Sequence, residues 1–273
     1  MKKQLPNILL VLVFIIGFCI FLYPPLSDFI NSLIHSKEIS KYEHLTSELS
    51  FEQYDKMILE AEEYNKTLVG NLLIQNIDKS RKSDYKQLLS LDNSGIMGYL
   101  YINKIDVRLP IYHGTDASTL QKGVGHLEGS SLPVGGETQH VVLSGHTGLP
   151  SAKIFTDLVE LEVGDTFKID ALNQTYTYEV DQILEVEPNE TENLEIVDGK
   201  QYATLITCTP YGVNTHRLLV RGVLKNDKID VNISADAVMI ETNLRIPLSI
   251  ILVIIFVILA FVNRQKSSKN HII

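Results

Sequence analysis

Two unbroken apolar runs bracket the chain: residues 8–23, just after Lys2 and Lys3, and residues 246–262, just before Arg264 and Lys266. Each lies near the lower end of the ~17–25 residues that cross a bilayer as a helix. The lysines before the first run, and Arg264, Lys266 and Lys269 after the second, predict that both ends are cytoplasmic. The first run also has the basic start and apolar middle of a signal peptide. Tyr23-Pro24-Pro25 stands where a small-x-small cleavage site belongs, which favours an uncleaved anchor. Phe18, directly before Cys19, likewise breaks a lipoprotein box. Two spans leave one external region, about residues 25–245.

Within that region the period of the pattern changes once. From residue 36 to about 73, apolar positions recur at helical spacing (Leu45, Leu49, Met57, Ile58, Ala61, Tyr64, Leu68, Leu72), which predicts one or two amphipathic helices. Residues 76–90 are polar and basic and read as a connector or flap. From Gly95 onward short alternating runs take over: 96–102, 105–112, 141–143, 166–169, 175–184, 202–207 and 218–224. Asn103-Lys104 and Asn173-Gln174 mark turns, and 116–121 and 151–158 are short helical candidates with Asp116 and Ser151 as N-caps. Many short strands with few helices predict a mainly β fold, a closed or nearly closed barrel without exposed edges. The expected organisation is an anchor (1–24), a helical segment with a candidate lid (25–90), a β domain (91–226), a polar tether (227–245), a second span (246–262) and a cytoplasmic tail (263–273).

Charge narrows the partners. The chain carries a formal −9, and its external part is more acidic still once the five cations at its two ends are set aside. A strongly acidic surface excludes nucleic acid, whose phosphates need a basic face. It serves solubility and mildly favours a cationic substrate.

Only two cysteines occur, and Cys19 lies in the first apolar run. The external region therefore has one thiol, Cys208, and no partner for an internal disulfide. Such a cysteine is either core filling or a reactive group. Cys208 ends the apolar strand Tyr202-Ala-Thr-Leu-Ile-Thr-Cys208, before Thr209-Pro210. After a Tyr211-Gly-Val-Asn214 turn, Arg217 opens the next strand, so an antiparallel return sets Arg217 beside Cys208. His146 has a matching place, at the end of Val141-Val-Leu-Ser144 between Gly145 and Gly148. A thiol of ordinary pKa ~8.5 is mostly protonated at neutral pH, and a neighbouring imidazolium or guanidinium favours the thiolate. Histidine can then protonate a leaving amine, and arginine, which keeps its proton, can stabilise an oxyanion. Whether His146 reaches the same rim is not decided by spacing. No His-x-x-x-His or Cys-x-x-Cys pair suggests a metal, no cofactor is required, and Ser144 lacks a Gly-x-Ser-x-Gly elbow.

Thr204-Leu-Ile-Thr-Cys208, with an upstream His146 and a downstream Arg217, resembles the Thr-Leu-x-Thr-Cys signature of the sortases, cysteine transpeptidases of Gram-positive cell surfaces. Gly125-His-Leu-Glu-Gly-Ser-Ser-Leu-Pro133, Leu143-Ser-Gly-His-Thr-Gly-Leu-Pro150 with its continuation to Leu158, and Thr207-Cys-Thr-Pro-Tyr-Gly-Val-Asn-Thr-His-Arg217 with its continuation to Gly222 are similar to class C, the pilin-polymerising group. The resemblance implies an eight-stranded sortase β-barrel, with Cys208 as nucleophile, His146 as general acid/base and Arg217 as oxyanion stabiliser. It also implies a Leu-Pro-x-Thr-Gly-like sorting signal cut between Thr and Gly, and a pilin lysine as acceptor. Class C members commonly carry an Asp-Pro-aromatic lid. The corresponding stretch here has no Asp-Pro, and Asp78, Asp84 and Tyr85 are its candidate lid residues. A wall-anchoring enzyme using a peptidoglycan amine, and a non-catalytic surface assembly module, are the alternatives.

Overall fold

In the computed structural model, residues 5–68, 85–149 and 151–225 are described. The tether, the second apolar run and the tail lie outside them, as do Asp78 and Asp84.

The first apolar run belongs to a helix far longer than the run itself. α1 spans Leu5–Ser47 and passes straight through Pro24 and Pro25, so no break separates the anchor from the segment after it. The two prolines lack the N–H groups that would bond the carbonyls four residues back. Part of α1 is long and apolar enough to cross a membrane, and none of that part is buried. Its second half is one-sided. Ile39 and Tyr42 are buried, and the Tyr42 hydroxyl donates to the Met97 carbonyl (2.9 Å) and accepts from the Leu172 N–H (3.1 Å). α2 (Phe51–Leu68) follows after a tight turn. There the Ser50 hydroxyl accepts the Gln53 N–H, and the Gln53 side chain accepts the Ser50 N–H, a reciprocal cap that uses two otherwise unpaired donors.

Eight strands follow: β1 (Ile96–Ile102), β2 (Val107–His113), β3 (Val124–His126), β4 (Gln139–Ser144), β5 (Thr166–Ala171), β6 (Gln174–Val186), β7 (Gln201–Thr209) and β8 (His216–Leu224). They close into a barrel in the order β1-β2-β3-β4-β7-β8-β6-β5. Period-two alternation decides which side of each strand faces in. Leu100, Ile111, Val141, Leu143, Phe167, Tyr178, Ala203, Leu205 and Val220 fill the interior, with Phe167 and Tyr178 stacked at 5.4 Å. Burying a side chain of that size fully is worth about 1.5–3 kcal/mol.

The expected strands are all present with ends moved by a few residues, and β3 is an addition. Three residues, one of them glycine, are too few to show an alternation. The turn after β1 is a short 3-10 segment, Asn103–Ile105. The hairpin joining β5 to β6 turns at Leu172-Asn173, both at positive φ, one residue earlier than expected. α3 (Ala117–Leu120) follows Asp116, whose carbonyl rather than its side chain takes the first helical bonds. The second short helical candidate reduces to a 3-10 turn at Thr156–Glu160, so Ser151 caps no α-helix.

Candidate active site

The parallel pairing of β4 with β7 answers the question that spacing left open. Leu143 lies opposite Leu205 and Ser144 opposite Ile206. The pairing then runs on past the end of β4. The Gly145 N–H donates to the Ile206 carbonyl (3.0 Å), and the Thr207 hydroxyl donates to the Gly145 carbonyl (2.9 Å). The next residue on each strand is His146 and Cys208. On the other side of β7, Cys208 lies directly opposite Arg217 of β8. Histidine, cysteine and arginine therefore stand at one level on three adjacent strands, cysteine in the middle. All three are half-buried.

Cys208 and Arg217 share a face as well as a level. Ala203, Leu205 and Thr207 point inward, so Thr204, Ile206 and Cys208 point to the outer side of this wall. That side carries its own small apolar cluster of Val142, Val186, Leu194 and Leu219, with Leu127, Leu184 and Ile206 packed against it. Leu194 belongs to the long connection between β6 and β7, which folds back over the wall. His140 fastens this connection: one ring nitrogen meets the Glu195 carbonyl (2.9 Å) and the other the Thr204 hydroxyl (2.7 Å). Burial holds His140 well below the ordinary imidazole range, at about 4, and therefore neutral at physiological pH. The outer face of β4, β7 and β8 thus carries an apolar cluster, with His146, Cys208 and Arg217 at one end.

Each side chain is positioned locally. Phe155, fully buried, lies against Gly145 so closely that a Cβ there would come within 2.6 Å of the ring. Its N–H also donates to the His146 carbonyl (3.0 Å), which closes the loop behind the histidine. The Arg217 guanidinium donates to the carbonyls of His216 (3.0 Å) and Asn214 (3.3 Å), holding the side chain over its own turn. The neighbouring His216 faces Glu187 at 3.3 Å and Glu185 at 3.9 Å. Among the described residues no group of three or more His, Cys, Asp or Glu could hold a metal ion.

Of the three candidate lid residues, Tyr85 alone falls within the described chain. It is buried, packed among Tyr64, His113 and His126. Its hydroxyl bonds His126 Nδ1 (2.8 Å) and accepts the Gly114 N–H (3.3 Å). His126 is opposite inward-facing Leu143, three residues before His146, so Tyr85 is tied to the core side of the wall, roughly 10 Å along the chain direction from the level of His146. Sequence reading also passed over Phe155, His140 and the Val142–Leu219 surface. Each gains its meaning from a neighbour distant in the chain.

A thiol, an imidazole and a guanidinium at one rim of a closed barrel define a cysteine acyl-transfer enzyme of the transpeptidase kind. A sortase domain model matches residues 100–225. The crystal structure of sortase C1 from Streptococcus agalactiae is 48% identical, with a TM-score of 0.68, covering 70% of this chain and 99% of that one. Sortase C of Streptococcus pneumoniae is 40% identical, with a TM-score of 0.64, covering 70% and 97%. Sortase D of Bacillus subtilis is 37% identical over 42% of this chain, a match that spans 54% of that protein. The chain belongs to the sortase family, whose members are cysteine transpeptidases, and its structural neighbours are class C sortases.

Proposed function

We propose that this sortase polymerises pilins on the outer side of the membrane, with both termini in the cytoplasm. The observation that carries the reading is the shared level of His146, Cys208 and Arg217 across β4, β7 and β8. The likeness to class C structures supports it further.

The Cys208 thiolate attacks the threonine carbonyl carbon of a Leu-Pro-x-Thr-Gly-like signal. Arg217 hydrogen-bonds the oxyanion. The Thr–Gly bond breaks, His146 gives its proton to the departing glycine amine, and a thioester remains on Cys208. A lysine amine of the next pilin then attacks the thioester and passes a proton to His146. The thiolate leaves, and an isopeptide bond is formed. The acidic exterior suits a cationic acceptor.

Intact mass measurement of the protein mixed with a Leu-Pro-x-Thr-Gly peptide tests the first half. Wild type is expected to gain the acyl mass and Cys208→Ala to gain none. No adduct on wild type, or equal turnover by the variant, would overturn the reading. Offering a pilin lysine peptide and a peptidoglycan amine side by side tests the second half. Preference for the peptidoglycan amine would make the enzyme a wall-anchoring sortase instead.

A further inference from the structure

α1 does more than connect the barrel to a span. Residues 28, 31, 35, 39, 42 and 46 recur at three- and four-residue spacing and form one face, the face against the barrel. Their contacts follow a strict order. Asp28 accepts the Lys153 N–H (3.0 Å), the Asn31 amide donates to the Ser151 carbonyl, and His35 meets the Lys122 carbonyl (2.7 Å). Ile39 is buried, and Tyr42 bonds Met97 and Leu172. Moving along the helix from the apolar run, the first part of the barrel reached is thus the loop that carries His146. The contact then continues for roughly 27 Å, from Asp28 to Thr46 at ~1.5 Å per residue.

The height of that loop follows from charge. Between Lys3 and Asp28 the sequence has no charged residue. As helix, this stretch measures roughly 36 Å, against a hydrocarbon core of ~30 Å. Asp28 therefore sits within a turn or two of the hydrocarbon edge, and its carboxylate is spent on the Lys153 N–H. The opposite side of the same turns stays apolar: Leu26, Ile30, Leu33 and Ile34 are all exposed. Lys37 is the first exposed charge on that side. The turns that grip the loop are thus flanked by lipid-compatible surface. The neighbouring β7–β8 turn matches them. Tyr211 and Val213 are 69% and 66% exposed, and the Tyr211 ring lies over Gly148 of the His146 loop, where a Cβ would come within 3.0 Å of it.

We infer that α1 seats the catalytic rim in the interfacial layer of the bilayer, with Asp28 and Asn31 as positioning residues for the His146 loop and Tyr211 and Val213 as lipid contacts. Lys153 is two residues from Phe155, whose N–H holds the His146 carbonyl, so the grip on the loop reaches the imidazole through one short segment. The seat is a matter of geometry. Only its consequence, that acyl donors held at the membrane surface react in preference to free ones, rests on the transpeptidase reading.

The test uses the full chain in nanodiscs of phosphatidylcholine and phosphatidylglycerol. In a Cys19→Ser, Cys208→Ala background, a bimane is attached at Val213→Cys or at Lys200→Cys, beside the opposite end of β7. A headgroup nitroxide is expected to quench the first at least threefold more than the second. Equal quenching, or stronger quenching at 200, overturns the seat. In a Cys19→Ser background, the pH profile of Cys208 alkylation is expected to shift in Asp28→Ala and Asn31→Ala. It should return in Asp28→Asn, whose amide oxygen still accepts the Lys153 N–H. A lowered melting temperature with an unmoved profile would reduce both residues to helix packing and overturn their role. Neither readout needs turnover, so a protein that forms no thioester can still pass both, and the two readings fail separately.

Discussion

Arg217 shows how little of a residue's role lies in its type. Its register partner is Cys208, and its guanidinium is held by the carbonyls of its own turn, Asn214 and His216. In the role proposed for it, a guanidinium fixed in advance of substrate spends no reorganisation energy at the transition state. Lysine keeps the charge and loses the fork. Arg217→Lys is therefore expected to lower kcat for peptide cleavage by about 10²–10³-fold, the usual cost of an oxyanion donor, while KM changes little. Steady-state kinetics on the sorting peptide measures this. An unchanged kcat would show that charge alone suffices.

At the level of elements, the loop between β4 and β5 is where packing and chemistry meet. Phe155 fills the barrel end beneath Gly145 and also fixes the His146 carbonyl. Truncating a buried phenylalanine costs about 3–5 kcal/mol. Phe155→Ala is expected to lower stability by that amount in chemical denaturation. At temperatures where the variant stays folded, it should also slow thioester formation, because the loop behind His146 loses its backing. Full activity in a destabilised but folded Phe155→Ala would separate the core from the site. Of this arrangement the sequence showed the glycines around His146 and the aromatic at 155 as letters. That the ring needs the space over Gly145 follows only from the path of the chain back to it.

For the molecule as a whole, the buried histidines set the response to acid. His126 and His140 are both held at about 4 by burial, against 6.5 for the free side chain. A histidine kept neutral in the fold takes up its proton on unfolding. Stability is therefore full above pH 6.5 and falls as the pH drops from there to about 4, by about 1.4 kcal/mol per pH unit for each such group. Melting temperatures taken between pH 7.5 and 4.5 should fall accordingly. Burial also lowers His35 and His113, so His140→Gln removes one of four such groups and should reduce the slope. An identical slope in that variant would mean that His140 titrates alike in the folded and unfolded chain. His140 ties the β6–β7 connection to Thr204 and Glu195, so acid is also expected to loosen the cover of the apolar surface beside Cys208.

Local pattern determined a good deal. The long apolar run, the alternation from residue 96 onward, the hairpin near Asn173 and the antiparallel return from Cys208 to Arg217 are all short-range, and each element carries its own periodicity. The structure decided the rest because its partners are far apart in the chain. β4 and β7 pair in parallel across more than fifty intervening residues, and alternation states which face a strand buries without naming its neighbour. The level of His146 with Cys208, the apolar wall under Leu194 and the grip of Asp28 on the His146 loop all depend on that closure. A sequence can place a reactive group at a strand end. Only the closed barrel brings three such ends to one rim, and only a helix continuous with the anchor sets that rim at the membrane.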